Sequence, residues 1–268
     1  MPKAFVPAIT GAQSVAIAGA LRDADWKVDG SSRSRDDDPH ERAAGADLLI
    51  LTVPQDHRPG AMVDFVDGWV EAARRGEIGR VILNLGGTPG PAEEHPFFAD
   101  LQAMEDRVVD SGLPHVVLRP TVYLDNLAAP WAAEAIAGGT ITYPAAADAE
   151  ISWISHRTLG LWVVAVADGS ADGRILPVGG PEALTGAALA ERVGATLGRD
   201  ITYVPLPPAA FAAGMNEAMG APAGDRLGAI YERLERHPDY MRVDPIEAER
   251  FGVELEGVGA FAKRVLAS

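Results

Sequence analysis

Three short apolar runs constrain this chain more than any other feature: ADLLILTV over Ala46–Val53, RVILNL over Arg80–Leu85 and HVVL over His115–Leu118. Each is bounded by Gly, Pro or charged residues, and each precedes a helical stretch, at Gly60–Arg75, Pro96–Ser111 and Ala128–Ala137. Strands of this length alternating with helices predict an α/β fold, a doubly wound parallel sheet. An earlier apolar strand around Ala4–Val6 leads into a helix of alanine and other small apolar residues at Ala12–Leu21. Ligands of such sheets sit at the carboxyl ends of the strands. The loops to watch are therefore 7–13, 31–35, 53–57, 85–91 and 120–126.

The second half keeps mixed character. Strands are expected at Ile151–Trp153, Arg174–Val178 and Ile201–Val204, and helices at Thr158–Ala167 and Thr185–Leu197, the latter opened by an N-cap threonine. From Pro207 to Leu266 the chain reads as mostly helical. This predicts a Rossmann-like domain over residues 1–150 and a smaller α/β, mostly helical C-terminal substrate lobe over 151–268, interleaved with the first.

Composition removes several classes of function. Lys and Arg total 23 against 38 Asp and Glu, a net charge of −15. Nucleic acid and anionic membrane both need a basic surface, so neither is expected as a partner. A small-molecule substrate is expected instead, and the oligomeric state stays open. With no cysteine there is no disulfide, thiol nucleophile or thiolate metal site. The histidines and carboxylates show no metal-ligand spacing, and no GxSxG nucleophile elbow occurs. Met1-Pro2-Lys3 does not resemble the start of a signal peptide, and no apolar run is of membrane-spanning length. The cytoplasm is the expected location.

The turn after the first strand, Pro7-Ala8-Ile9-Thr10-Gly11-Ala12-Gln13-Ser14, carries the question of function. A strand–turn–helix that binds a dinucleotide has three glycines: for the tight turn, for close approach of the pyrophosphate, and for helix–strand packing. At that spacing the positions here are Ala8, Gly11 and Ser14, so only the middle glycine remains.

Leu118-Arg119-Pro120-Thr121-Val122-Tyr123-Leu124-Asp125-Asn126-Leu127 resembles the LRPxxFMDN segment of NmrA-like proteins, which are atypical short-chain dehydrogenases/reductases. Val178 to Thr185 (VGGPEALT), followed by Leu197-Gly198-Arg199 and Val204-Pro205-Leu206, resembles the later part of the same family. The resemblance covers nearly the whole chain. It implies a Rossmann-like domain that binds NADP(H), with a small C-terminal substrate lobe. Family members include quinone and isoflavone-type reductases, and redox sensors that bind the dinucleotide without catalysis. Carried over, the cofactor contacts are Thr10, Gly11, Gln13 and Ser14 in the first turn, Arg33 after the second strand, and Thr52, Val53 and Pro54 after the third. His57 lies in the loop that edges the nicotinamide.

The departures from the family are specific. Its opening TGATGxxG falls on Pro7–Ser14, where Ala8 adds a methyl group and Ser14 a hydroxyl. Ser31-Ser32-Arg33-Ser34-Arg35 suits a 2′-phosphate, but Asp36-Asp37-Asp38 follows directly. Residues 36–45 are too few for the strand and helix that family members fit there. The Tyr-x-x-x-Lys pair, in which lysine tunes the tyrosine as acid or base, falls on Phe97 and Leu101, ahead of Glu105 and Ser111-Gly112-Leu113-Pro114. An acid–base group must come from elsewhere. His156 and Tyr123 are the catalytic candidates, with Asp125, Asn126 and His57 nearby in sequence; His115 is expected to be structural. Three readings follow: an NADPH-dependent reductase of a small carbonyl or enone compound, a cofactor-independent cyclase, isomerase or lyase using His or Tyr, and a non-catalytic dinucleotide sensor.

Overall fold

The structure, a computed structural model, describes residues 1–32, 38–54 and 56–267. The chain divides into two compact units. The first comprises Met1–Pro120, His156–Val178 and Glu247–Glu254, and the second Thr121–Ser155, Gly179–Ile246 and Leu255–Ser268. A boundary at residue 150 would lie inside the first segment of the second unit.

The first unit begins β1 (Lys3–Val6), α1 (Ala12–Asp23), β2 (Lys27–Gly30), α2 (Pro39–Ala43), β3 (Leu48–Thr52), α3 (Ala61–Arg75), β4 (Val81–Asn84), α4 (Pro96–Val109) and β5 (His115–Pro120). The chain then passes through α5 (Pro130–Ala137) and β6 (Thr140–Tyr143) of the second unit before returning with α6 (His156–Val166) and β7 (Arg174–Val178). The six strands of the first unit form one parallel sheet in the order β2-β1-β3-β4-β5-β7. Every residue of β3 and β4 is buried, as continuous apolar runs require. The order reverses at β1. Right-handed crossovers therefore put α1 on the face opposite α2 and α3.

Two groups of helices cover the sheet: α1 packs against α6, and α3 against α2 and α4. The small residues of α1 are explained by α6. A Cβ placed on Gly160 of α6 would lie 2.9 Å from Ala20 Cβ and 3.0 Å from Ala16 O, so these helices meet backbone to backbone. On the other group, Trp69 of α3 stacks against Phe5 of β1 with ring centroids 5.4 Å apart.

Between β2 and β3 the described residues form a single five-residue helix, α2, capped by Asp38, whose carboxylate accepts from His40 N at 2.8 Å. The connection is as short as the sequence predicts, and β2 is consequently at the sheet edge.

The second unit continues with α7 (Gly186–Leu197), β8 (Thr202–Pro205), α8 (Pro208–Met219) and α9 (Ala223–Arg236). Thr185 caps α7 as expected, accepting from Ala188 N at 3.3 Å. β6 pairs with β8 in a two-stranded parallel sheet. The expected strand Ile151–Trp153 is not one. Ile151 forms isolated bridges to Leu184 and Met241, because the segment threads between two loops and has no strand to align with. The core of this unit gathers Leu124, Ile141, Tyr143, Trp153, Leu189 and Phe261.

A Gly160→Leu substitution has no room between α1 and α6. It is expected to cost about 1–3 kcal/mol by overpacking, read as a lower urea midpoint with an unchanged slope.

Candidate functional site

The turn between β1 and α1 keeps the shape of a glycine turn without the first glycine. Ala8 has φ +53°, in the left-handed region that a side chain disfavours. Gly11 N donates to Ala8 O at 2.9 Å, closing the turn, and Ile9 N donates to Ser31 O at 3.0 Å, tying it to the residue after β2. Gly11 is the N-cap of α1, a twelve-residue helix, and as a glycine it supplies no side-chain cap. Uncapped amides at a helix start are an anion site when something negative approaches. A Cβ at Gly11 would stand 3.3 Å from Ala8 O, a tight approach that a shift of a few tenths of an ångström relieves.

The other expected contacts fall along the carboxyl ends of β1, β3 and β4. Thr10 is exposed at the turn. The Gln13 side chain accepts from Asn84 Nδ2 at 2.6 Å, joining the start of α1 to the end of β4. Asn84 is fully buried, and its Oδ1 accepts from Gly86 N at 3.2 Å. Register pairs Thr52 with Asn84 across β3 and β4. Ser14 and Thr52 are both buried, and neither hydroxyl has a hydrogen-bond partner among the described residues. Val53 and Pro54 follow, half-buried. Arg33, the expected 2′-phosphate contact, lies outside the described residues. Asn84 was not among the sequence candidates; its signal is an amide side chain closing an otherwise apolar strand.

These residues fit one part of a nicotinamide dinucleotide. The strained turn, the glycine N-cap of α1 and two buried hydroxyls with no hydrogen-bond partner among the described residues would suit a phosphate with polar groups beyond it. Orphaned buried hydroxyls are uncommon and call for a ligand or water.

No tyrosine–lysine pair occurs on α4. Phe97 and Leu101 are both buried, and Phe97 packs against Phe98 at 6.1 Å between centroids. Glu105 is buried below them and takes both arms of Arg119, with Nε to Oε2 at 2.7 Å. That ion pair fastens α4 to β5.

The proposed acid–base residues lie in different units. His156 is the first residue of α6, half-buried, in the first unit; Tyr123 is buried in the second. Tyr123 bridges to Ile154, and Leu124 N donates to Ile154 O at 2.8 Å. His57 is buried in the loop after β3. Beside it, hydrogen bonds from Arg58 pull the Asp56 carboxyl down to about 2. His115 braces its own turn, its Nδ1 lying 2.8 Å from Leu113 O.

The second unit holds a buried hydroxyl network absent from the sequence expectations. Asn126 Nδ2 donates to Tyr143 Oη at 2.9 Å, and Tyr143 and Tyr231 share a hydrogen bond of 2.9 Å. Tyr143 stacks edge-on against Trp153 at 4.9 Å, and Tyr231 against Phe211 at 5.2 Å. Burial pushes the Tyr143 phenol up to about 12 and the Tyr231 phenol well above its ordinary value. Tyr143 and Tyr231 come from distant segments, so nothing in their sequence spacing pairs them. Among the described residues no cluster of three or more His, Cys, Asp or Glu could hold a metal, and no helix is long and apolar enough to cross a membrane.

No protein-family model matches the chain. It is 26% identical over 133 residues to prestalk A differentiation protein A of Dictyostelium discoideum, covering 49% of this chain and 44% of that protein. It is 25% identical over 175 residues to an NAD(P)H azoreductase of Xenophilus azovorans, covering 64% and 59%. The chain thus spans about half the length of the curated relatives it matches. Among solved structures, a nucleoside-diphosphate-sugar epimerase of Staphylococcus aureus superposes with TM-score 0.80 at 17% identity over 98% of this chain and 100% of that one. Triphenylmethane reductase of Citrobacter sp., complexed with NADP(H), gives 0.76 at 15% over 99% and 100%. NmrA, a negative transcriptional regulator in complex with NAD, gives 0.75 at 17% over 99% and 95%.

Two predictions follow from this geometry. Ala8→Gly relieves the left-handed strain, partly offset by a freer unfolded chain, and is expected to stabilise by about 0.5–1 kcal/mol in urea unfolding. The buried Tyr143 keeps its proton to about 12 in the folded state, whereas the unfolded phenol ionises near 10. Its contribution is complete below pH 10 and is lost as the pH rises towards 12, on the order of 3 kcal/mol. Urea midpoints at pH 9, 10.5 and 11.5 should fall accordingly, and Tyr143→Phe should make the fall shallower, with the buried Tyr231 keeping its own share.

Proposed function

We propose that this chain, which has the fold of NmrA-like, atypical short-chain dehydrogenase/reductase proteins, binds a reduced nicotinamide nucleotide and uses it to reduce a small carbonyl, enone or similarly conjugated compound. The observation that carries this reading is Ala8 held at φ +53° beneath the glycine N-cap of α1. A residue kept in a disfavoured conformation needs a reason, and such strain clusters at functional sites. The named reductases among the similar proteins support the same direction.

The chemistry such a nucleotide supplies when bound is hydride donation. The first-turn amides of α1 would take the phosphate, with Gly11 allowing its approach and Thr10 at the rim. Gln13, fixed by Asn84, and the hydroxyls of Ser14 and Thr52 would supply polar contacts beyond it. Val53 and Pro54 would bound the nicotinamide side. NADPH is the finer expectation, from Arg33 and its neighbouring serines. The proton would come from His156, Tyr123 or water, since Phe97 and Leu101 have none to give.

Calorimetric titration with NADPH and NADH tests the reading, with micromolar binding of at least one expected. Gly11→Asp separates binding from folding. Aspartate is a good N-cap and should preserve α1, yet it puts a negative charge where the phosphate would go. Affinity should fall at least about tenfold, or 1.4 kcal/mol. No binding of either nucleotide at millimolar concentration overturns the reading in favour of cofactor-independent chemistry on the same fold. Binding without turnover of quinone, azo or carbonyl compounds favours a sensor. Given turnover, loss of the true proton donor, by His156→Asn or Tyr123→Phe, should lower kcat by about 10²–10⁴.

A further inference from the structure

We propose that the second unit carries a substrate-binding donor: in the buried relay Asn126–Tyr143–Tyr231, the last phenolic hydrogen serves the carbonyl oxygen of a flat, conjugated compound. This rests on the reductase reading above for what becomes of that compound. The donor itself follows from counting hydrogens. Two phenols bring two. Asn126 Nδ2 donates to Tyr143 Oη at 2.9 Å, so that contact uses neither of them. The 2.9 Å bond between the Tyr143 and Tyr231 hydroxyls uses one. The other has no acceptor among the described residues.

Tyr143 is 2% exposed and Tyr231 7%, a depth at which a hydroxyl hydrogen ordinarily finds an acceptor. Tyr203 shows the ordinary outcome, its hydroxyl donating to Ala145 O at 2.8 Å. Burial keeps the Tyr143 and Tyr231 phenols protonated far above neutral pH, so both hydrogens are present at neutral pH. Running head to tail from Asn126 through Tyr143 to Tyr231, the relay polarises each bond in turn and makes Tyr231 the stronger donor.

Tyr231 is the outward end of the relay. It is the less buried of the pair, and over it lies the half-buried ring of Phe211 on α8, edge-on at 5.2 Å. Helix α8 sits on α9 without slack: a Cβ on Gly224 would stand 1.8 Å from Ala212 O. The ring of Phe211, rather than the helix that bears it, is therefore the part that yields to a ligand or stacks on it. On the inner side, Trp153 meets Tyr143 edge-on at 4.9 Å. Aromatic walls around a fixed hydroxyl donor suit a conjugated ring that bears an oxygen acceptor. Hydride addition to such a carbonyl puts negative charge on its oxygen, and a donor already in place stabilises that charge.

The probe is 2-acetylnaphthalene carrying carbon-13 at its carbonyl, titrated into the full chain by calorimetry and followed by carbon NMR. Binding is expected, with the bound carbonyl signal downfield of its position in Tyr231→Phe, and that variant should raise Kd at least about fivefold. Asn126→Asp is the sharper variant. It keeps the shape and both phenols, but an aspartate only accepts. It would take the Tyr143 hydrogen and turn Tyr231 to donate inward, leaving none for the ligand, so the same losses of affinity and of downfield shift are expected. Circular dichroism and urea unfolding establish that each variant is folded. If folded Asn126→Asp binds the probe with the original affinity and carbonyl shift, or the original chain binds none at millimolar concentration, the inference falls. The nucleotide reading then stands or falls on the NADPH and NADH titrations alone.

Discussion

β3 and β4 have no residue facing water, and both lie in a parallel ladder whose amides are satisfied only by neighbouring strands. A pair of this kind exists only under helices on both faces, and each large aliphatic side chain buried there contributes about 1.5–3 kcal/mol. Parallel pairing also brings every carboxyl end to the same edge. Thr52 and Asn84 therefore meet in register, and Asn84 Nδ2 reaches Gln13 at the start of α1. The candidate site is a by-product of burying Leu49, Ile50, Ile82 and Leu83.

The same packing reaches the turn. α1 cannot shift, because Ala16 and Ala20 press against Gly160 of α6. At its other end, Ile9 is wedged over Gly30. The backbone at Ala8 is thus determined from both sides, and the alanine accepts an unfavourable φ because the surrounding structure leaves no alternative. Strain of this sort persists only where packing over-determines it.

Much of this was legible in the sequence, for identifiable reasons. β3, β4 and β5 announce themselves as apolar runs. Thr185 signals its cap, and the shortage of residues before Ala46 foretold the sheet edge at β2. Other features left no local trace. Ile151-Ser152-Trp153 has the composition of a strand but bridges two loops. β6 is only Thr140–Tyr143, with half-buried threonines between its two buried residues, and its partner β8 comes some sixty residues later, as the Thr140–Thr202 register shows. The contact between Tyr143 and Tyr231 arises only when the second unit closes. At the site, the glycine spacing located the turn correctly. It could not tell whether Ala8 relaxed the turn or submitted to it, since that depends on Ile9, Gly30 and α6 together. Asn84 was missed because an amide at a strand end declares nothing until Gln13 is seen to meet it.

The chain passes between the two units five times, and this bears on how it is made. The sheet of the first unit lacks its last strand until Arg174–Val178 has been synthesised. Its final piece, Glu247–Glu254, comes later still. Glu247 then pairs with Arg174 at 3.0 Å, and Phe251 lays its ring against Trp162. Neither unit can be completed on the ribosome while the other waits. The emerging chain therefore carries the apolar runs of β3 and β4 in an incomplete unit until Glu247–Glu254 has been made, and incomplete units of this kind are prone to association.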